Sequence, residues 1–185
     1  SLLPDYSDSK VNRCVNNIYR IWKETSENKS AQLVFCDLST PHLNSIDSND
    51  SEYHFTDVYN DLRYKLINMG VPEKEIAFIH MATTDAKKDE LFAKVRMGEV
   101  RILLGSTFKM GAGTNVQTKL IALHHLDVPW RPADIEQREG RIIRQGNENE
   151  KVYIYRYVTE NTFDAYSWQL LEQKQKFISQ IMNGS

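Results

Sequence analysis

Only two cysteines, Cys14 and Cys36, occur in the chain, too few for a disulfide framework and too far apart for a paired zinc or redox motif. Both lie in apolar patterns, where buried thiols are expected. No run approaches the roughly 20 consecutive apolar residues needed to cross a bilayer. The opening residues, SLLPDYSDSK, have neither the basic nor the apolar region of a secretory leader. These absences predict a soluble cytoplasmic protein with no membrane partner. Charge of one sign is missing too. The 23 Lys and Arg against 25 Asp and Glu leave a net charge of −2, which excludes a polybasic protein, so any nucleic-acid contact must come from a local basic face. What is present is an ordinary globular composition, 41% hydrophobic and 10% aromatic over 185 residues, too apolar for disorder and long enough for a single domain with a real core.

Hydrophobic periodicity divides the chain into alternating helices and short strands. Val11, Cys14, Val15, Ile18 and Trp22 recur at helical spacing after Ser7 and Asp8, predicting a helix to about Lys23. Strands are predicted at 31–36, 76–79, 101–104, 120–126 and 151–158, short apolar runs of the kind buried on both faces. Helices are predicted from Asp57 to Gly70, from Thr84 to Gly98, from Pro132 to about Arg144, and over about 163–182. The stretch 38–54, rich in Ser, Asp and Asn, is expected to be a flexible loop. Single helices between short apolar strands imply an α/β fold with a parallel sheet.

Ligands of such sheets bind at the carboxyl ends of the strands, and two unusual segments leave the predicted sheet there. The first, GSTFKMGAGTN (105–115), could cradle phosphate on its glycine backbone. It lacks the third glycine of a dinucleotide fingerprint, and no GxxxxGK[ST] loop exists in the chain, so an ordinary tight turn remains open. In the second, DVPWRPADIEQREGRIIRQG (127–146), Gln137, Arg141 and Arg144 stand at i, i+4 and i+7 and would project from one helix face, with Ile135 and Ile142 turned to the sheet. Guanidinium groups so spaced suit phosphate recognition. The alternative is a solvated face on which Arg138, Arg141 and Arg144 pair with Asp134, Glu136 and Glu139.

These residues closely resemble motifs V and VI of superfamily 2 helicases, above all the Swi/Snf-type DNA translocases. LLGSTFKMGAGTN is similar to their motif V, and QREGRIIRQG to their Gln-Arg-x-x-Arg-x-x-Arg-x-Gly motif VI. Asp127, Trp130 and Pro132 match an Asp-x-x-Trp-Asn-Pro signature, with Arg131 where Asn is usual. QLVFC resembles motif IV, and VYIYRYVTENTFD resembles the strand and brace helix that follow motif VI. The wording is nearest to the helicase part of large bacterial mobile-element proteins that also carry an adenine-specific DNA methylase.

The resemblance implies a three-layer RecA-like lobe, the second of two, with a C-terminal brace helix over 159–185. It implies ATP with Mg²⁺, bound mainly by an upstream lobe of the parent chain, double-stranded DNA touched through its phosphates, and a fused methylase domain as a further partner. Arg141 and Arg144 match arginine fingers, and Gln137 a residue coupling nucleotide to DNA. Gly111, Gly113, Thr114 and Asn115 fall in motif V near the nucleotide, with Thr114 replacing a usual Leu or Ile. Ser106 and Thr107 match DNA-backbone contacts, and Lys109 lies beside them. The P-loop Lys and acidic box of the first lobe have no counterpart, since Asp89 and Glu90 lie mid-helix beside Lys87 and Lys88. The isolated chain is therefore expected to hydrolyse no ATP. A docking module without catalysis and a small nucleotide-binding protein using 111–115 alone are the competing readings.

Other tempting residues point to packing. His124 and His125 are adjacent on a strand, so they face opposite sides and cannot share a metal, and no metal site is expected. His80 is expected to pack at a strand end. Tyr153, Tyr155 and Tyr157 alternate on one strand face, which the terminal helix is expected to cover. Lys174, Gln175 and Lys176 read as a solvated helix face.

Overall fold

The computed structural model describes residues 10–37, 48–110, 115–129, 131–158 and 163–184. In chain order the elements are α1 (Lys10–Glu24), β1 (Ala31–Phe35), α2 (Ser48–Met69), β2 (Ile76–Phe78), α3 (Asp85–Arg96), β3 (Ile102–Gly105), the single turn α4 (Thr107–Met110), β4 (Leu120–His125), α5 (Pro132–Glu139), β5 (Tyr153–Arg156) and α6 (Phe163–Asn183). The strands form one sheet in the order β2-β3-β1-β4-β5, parallel throughout. Burial of β1 along its whole length is the reason its sequence is continuously apolar rather than alternating. Chain order reverses direction at β1: α2, β2 and α3 lead to β3 on one side, and β4 and β5 extend the other. That switch opens a crevice at the strand carboxyl ends.

Alternate sheet residues feed two core layers. Val34, Ile102, Leu104 and Tyr157 pack under α1 and α2 against Cys14, Ile18, Leu62 and Leu66. Leu33, Phe35, Leu103 and Leu123 pack on the other face against α3 through Phe92 and Val95, and against Val116 and Ile142. Cys14 and Cys36 are both buried. Thr84 caps α3 by accepting the Lys87 amide at 3.2 Å. Gly98, at φ +80, closes that helix in the left-handed region.

Several boundaries differ from the sequence reading. Helix α2 starts at Ser48, not Asp57, so residues 48–54 of the expected loop are helical; residues 38–47 lie outside the described residues. Helix α5 ends at Glu139, five residues short of Arg144. The cause is packing. An unbroken helix would put Ile135 and Ile142 on nearly one face, yet Ile135 packs on Trp168 and Leu171 of α6 while Ile142 enters the core beneath the sheet. The chain leaves the helix at Gly140 to reach both. Tyr155 and Tyr157 lie under α1 rather than α6: the Tyr157 hydroxyl accepts from Asn17 at 3.0 Å and the Tyr155 hydroxyl from Arg20 at 3.4 Å. Tyr153 is exposed. Of the apolar residues expected on α6, Leu171 is buried but Phe177, Ile178 and Ile181 are exposed.

Candidate nucleotide and nucleic-acid crevice

Three strand ends supply the walls of the crevice. Asp37 follows β1, Ser106 and the α4 turn follow β3, and Asp127 follows β4. Helix α5 crosses them, held at its start by the Asp134 carboxylate, which accepts from the Arg131 amide and guanidinium at 3.2 and 3.0 Å.

Arg138 sits at the centre with no solvent exposure. Its Nε donates to Thr107 Oγ1 at 2.8 Å, one terminal nitrogen to His125 Nδ1 and the Asp127 carbonyl at 3.1 Å each, and the other to Asp127 Oδ1 at 2.8 Å and Asp37 Oδ2 at 2.9 Å. Those five contacts use every N–H of a guanidinium. The Phe35 ring lies under it, 5.3 Å from the guanidinium carbon. Asp37 is bound from the other side by Thr107, whose amide donates at 2.6 Å and hydroxyl at 2.7 Å, and the Asp37 amide donates to Asp127 Oδ2 at 2.7 Å. The pairing expected between Arg138 and the acids of its own helix is absent among the described residues: Asp134 takes Arg131, and Glu139 takes His125 and Arg156. Asp37 was not marked by the sequence. A lone Asp after an apolar strand carries no local signal, and its partner is far along the chain.

The network continues outward. Because Arg138 can only donate, His125 accepts at Nδ1 and donates from Nε2 to Glu139 at 3.0 Å. Burial holds His125 below the usual histidine range and so neutral. Arg156 pairs with Glu139 at 3.6 Å and with Glu172 at 2.7 Å, and stacks 4.4 Å from the Trp168 ring centroid. On the opposite face of β4, His124 donates to Gln32 and accepts from Tyr157, each at 2.8 Å. The two histidines therefore part to opposite sides of the sheet.

Placement of the expected site residues is uneven. Gln137 is half-buried and its amide donates to the Thr107 carbonyl at 3.4 Å, tying α5 to the α4 turn. Thr107 does not face outward: it is buried, and both its hydroxyl and amide are spent on Asp37 and Arg138. Ser106, half-buried, accepts the Lys109 amide at 3.1 Å, and the Lys109 side chain is exposed. Arg141 and Arg144 are not on the Gln137 helix but in the turn that follows it. That turn is pinned by Ile142 in the core, by Asn147, which donates to the Ile142 carbonyl at 3.2 Å and the Leu120 carbonyl at 2.8 Å, and by Gln117, which donates to the Gln145 carbonyl at 2.9 Å. Arg141 is buried, and its pKa is depressed by that burial and by the charge of Arg144. Asn115 is exposed, its carbonyl held by Arg96 at 2.5 Å. Gly111, Gly113, Thr114 and Trp130 lie outside the described residues.

Comparison with known proteins identifies the family and the fold. Over 160 residues, 85% of the chain, it is 32% identical to the uncharacterized ATP-dependent helicase YqhH of Bacillus subtilis. It is also 32% identical over 94 residues, 51% of the chain, to the defense against restriction protein B of Escherichia phage P1. These stretches make up 26% and 4% of those proteins, so the chain spans a minor part of each. The C-terminal part of the Fun30 ATPase domain superposes with a TM-score of 0.63 at 18% identity, over 89% of this chain and 46% of that one, which establishes the RecA-like fold. Residues 14–146 match the helicase conserved C-terminal domain, and the chain belongs to that family.

Proposed function

We propose that this chain is the second motor lobe of an ATP-dependent DNA helicase or translocase, completed by an upstream lobe of the same parent protein. The observation that carries the reading is the bond from Gln137 on α5 to the α4 turn at the carboxyl end of β3, with the Arg141–Arg144 turn following α5 directly along the chain. Arg141 and Arg144 act as arginine fingers on the nucleotide phosphates. Fingers of this kind contribute about 10³–10⁵ in rate by stabilising charge that develops during phosphoryl transfer.

The donor set fits a polyphosphate better than its metal. Cationic Arg141 and Arg144 suit phosphate oxygens, whereas the crevice carboxylates Asp37 and Asp127 are already bound by Arg138. ATP therefore meets this lobe through its phosphates and through the segment 111–115, and Mg²⁺ is held by the other lobe. Ser106 and Lys109 line the surface offered to DNA phosphates, while Thr107 serves from beneath by fixing the turn that bears them. The resemblance of its motifs to the helicase part of large bacterial methylase–helicase proteins extends the proposal to a methylase domain in the same parent.

The test is an ATPase assay on the parent protein with and without double-stranded DNA. Turnover should rise with DNA and fall about 10³-fold or more in Arg144→Ala, and the isolated 185-residue chain should show none. DNA-stimulated turnover indifferent to Arg144→Ala would sink the reading; a parent without turnover would point instead to a docking module.

A further inference from the structure

We propose that Arg138 is a positioning residue that couples the DNA-facing turn to the arginine-bearing turn; the inference rests on the motor reading above. Arg138 lies beneath both proposed ligand surfaces, where it binds the ends of β1 and β4 and the α4 turn. Its five donors reach Thr107 in α4, His125 and Asp127 at the end of β4, and Asp37 at the end of β1. Along its own chain it is joined directly to both functional segments. The adjoining Gln137 donates to the Thr107 carbonyl at 3.4 Å, and the Arg141 amide donates to the Arg138 carbonyl at 3.2 Å.

The consequence is mechanical. A planar guanidinium has its donors in fixed directions, so satisfying all five leaves one arrangement of the surrounding strand ends. A push on the α4 turn, which carries Ser106 and Lys109, moves Thr107. Thr107 cannot move without either breaking its bond to Arg138 Nε or carrying Arg138, and with it the Arg141 backbone, along. Packing alone would be served as well by an apolar side chain of similar volume. What an apolar residue cannot do is hold the ends of β1 and β4 and the α4 turn in one register. The same body extends through His125, Glu139 and Arg156 to Glu172 on α6.

The experiment uses the two-lobed parent and reads ATPase activity with and without double-stranded DNA, for Arg138→Lys, Thr107→Val and the pair together. Arg138→Lys keeps the charge but offers three donors in place of five. It should lower the DNA-stimulated kcat by about 10–100-fold, as a misplaced catalytic group does, with KM for ATP changed by less than about 3-fold because no ground-state contact is lost. The double variant should lose clearly less than the product of the two single losses, since both remove the Arg138–Thr107 contact. Hydrogen exchange should rise together in peptides covering 106–110 and 141–146. Unchanged stimulated kcat in Arg138→Lys, multiplying losses in the pair, or a rise in KM at constant kcat would each overturn the proposal. Should Arg138→Lys fail to fold, Thr107→Val alone decides, because it removes a single hydroxyl; wild-type stimulation in that variant overturns the coupling. A wild-type parent that DNA does not stimulate refutes the motor reading, and this inference with it, before any variant is made.

Discussion

Burying the Arg138 guanidinium among Asp37, Asp127, Thr107 and His125 makes each member of the cluster expensive to remove. Arg138→Met leaves the largely buried Asp37 and Asp127 carboxylates facing each other without their cation. It should lower stability by about 3–5 kcal/mol, read as a shifted midpoint in urea titration. His124 offers a test by pH. Burial above all lowers its pKa to about 3 in the folded protein, against an ordinary value near 6.5. A histidine depressed in the folded state contributes stability that is complete above its unfolded pKa. That stability drains as pH falls from about 6.5 toward about 3, because the unfolded chain takes up a proton the native state refuses. Unfolding free energy should therefore fall by up to about 1.4 kcal/mol per pH unit in this window. His125, also depressed by burial, acts in the same sense. A His124→Gln variant should show a shallower slope than wild type in chemical denaturation between pH 6 and 4, whatever its absolute stability.

Elements are held by close approaches that leave little room for change. Gly105 ends β3 where a Cβ would lie 2.2 Å from Ile79 Cγ2, so Gly105→Ala must displace either the strand end or the Ile79 turn. A loss of about 1–3 kcal/mol is expected by thermal unfolding. Trp168 joins α6 to the rest: it packs on Ile135, meets His125 edge-on with centroids 5.1 Å apart, and lies under Arg156. Trp168→Ala should cost about 3–5 kcal/mol. Strands and helix starts, that of α2 excepted, were readable from sequence for a reason visible in these contacts. A parallel strand buried on both faces must be apolar throughout, and a helix start needs a capping side chain such as Thr84. The end of α5 was not readable. The spacing of Gln137, Arg141 and Arg144 remains helical past Gly140, and nothing local shows that Ile135 and Ile142 are claimed by different cores.

For the whole molecule, net charge and crevice together constrain the proposed contact with DNA. With a net charge of −2, attraction must come from a few local cations such as Lys109. Binding by the parent should be independent of sequence and weaken steeply with salt, and Lys109→Ala should reduce the magnitude of the log–log salt slope by about 1 in a fluorescence titration. Base-specific or salt-indifferent binding would count against a phosphate-backbone contact. The order of elements, the parallel sheet and the two segments at its carboxyl edge were determined by sequence alone, because hydrophobic period, caps and glycines act over a few residues. The convergence of Asp37, Thr107, His125, Asp127 and Arg138 was decided only by tertiary structure. Those residues meet because the sheet sets β1 between β3 and β4, and strand pairing across long stretches of chain is a global choice that no local pattern encodes.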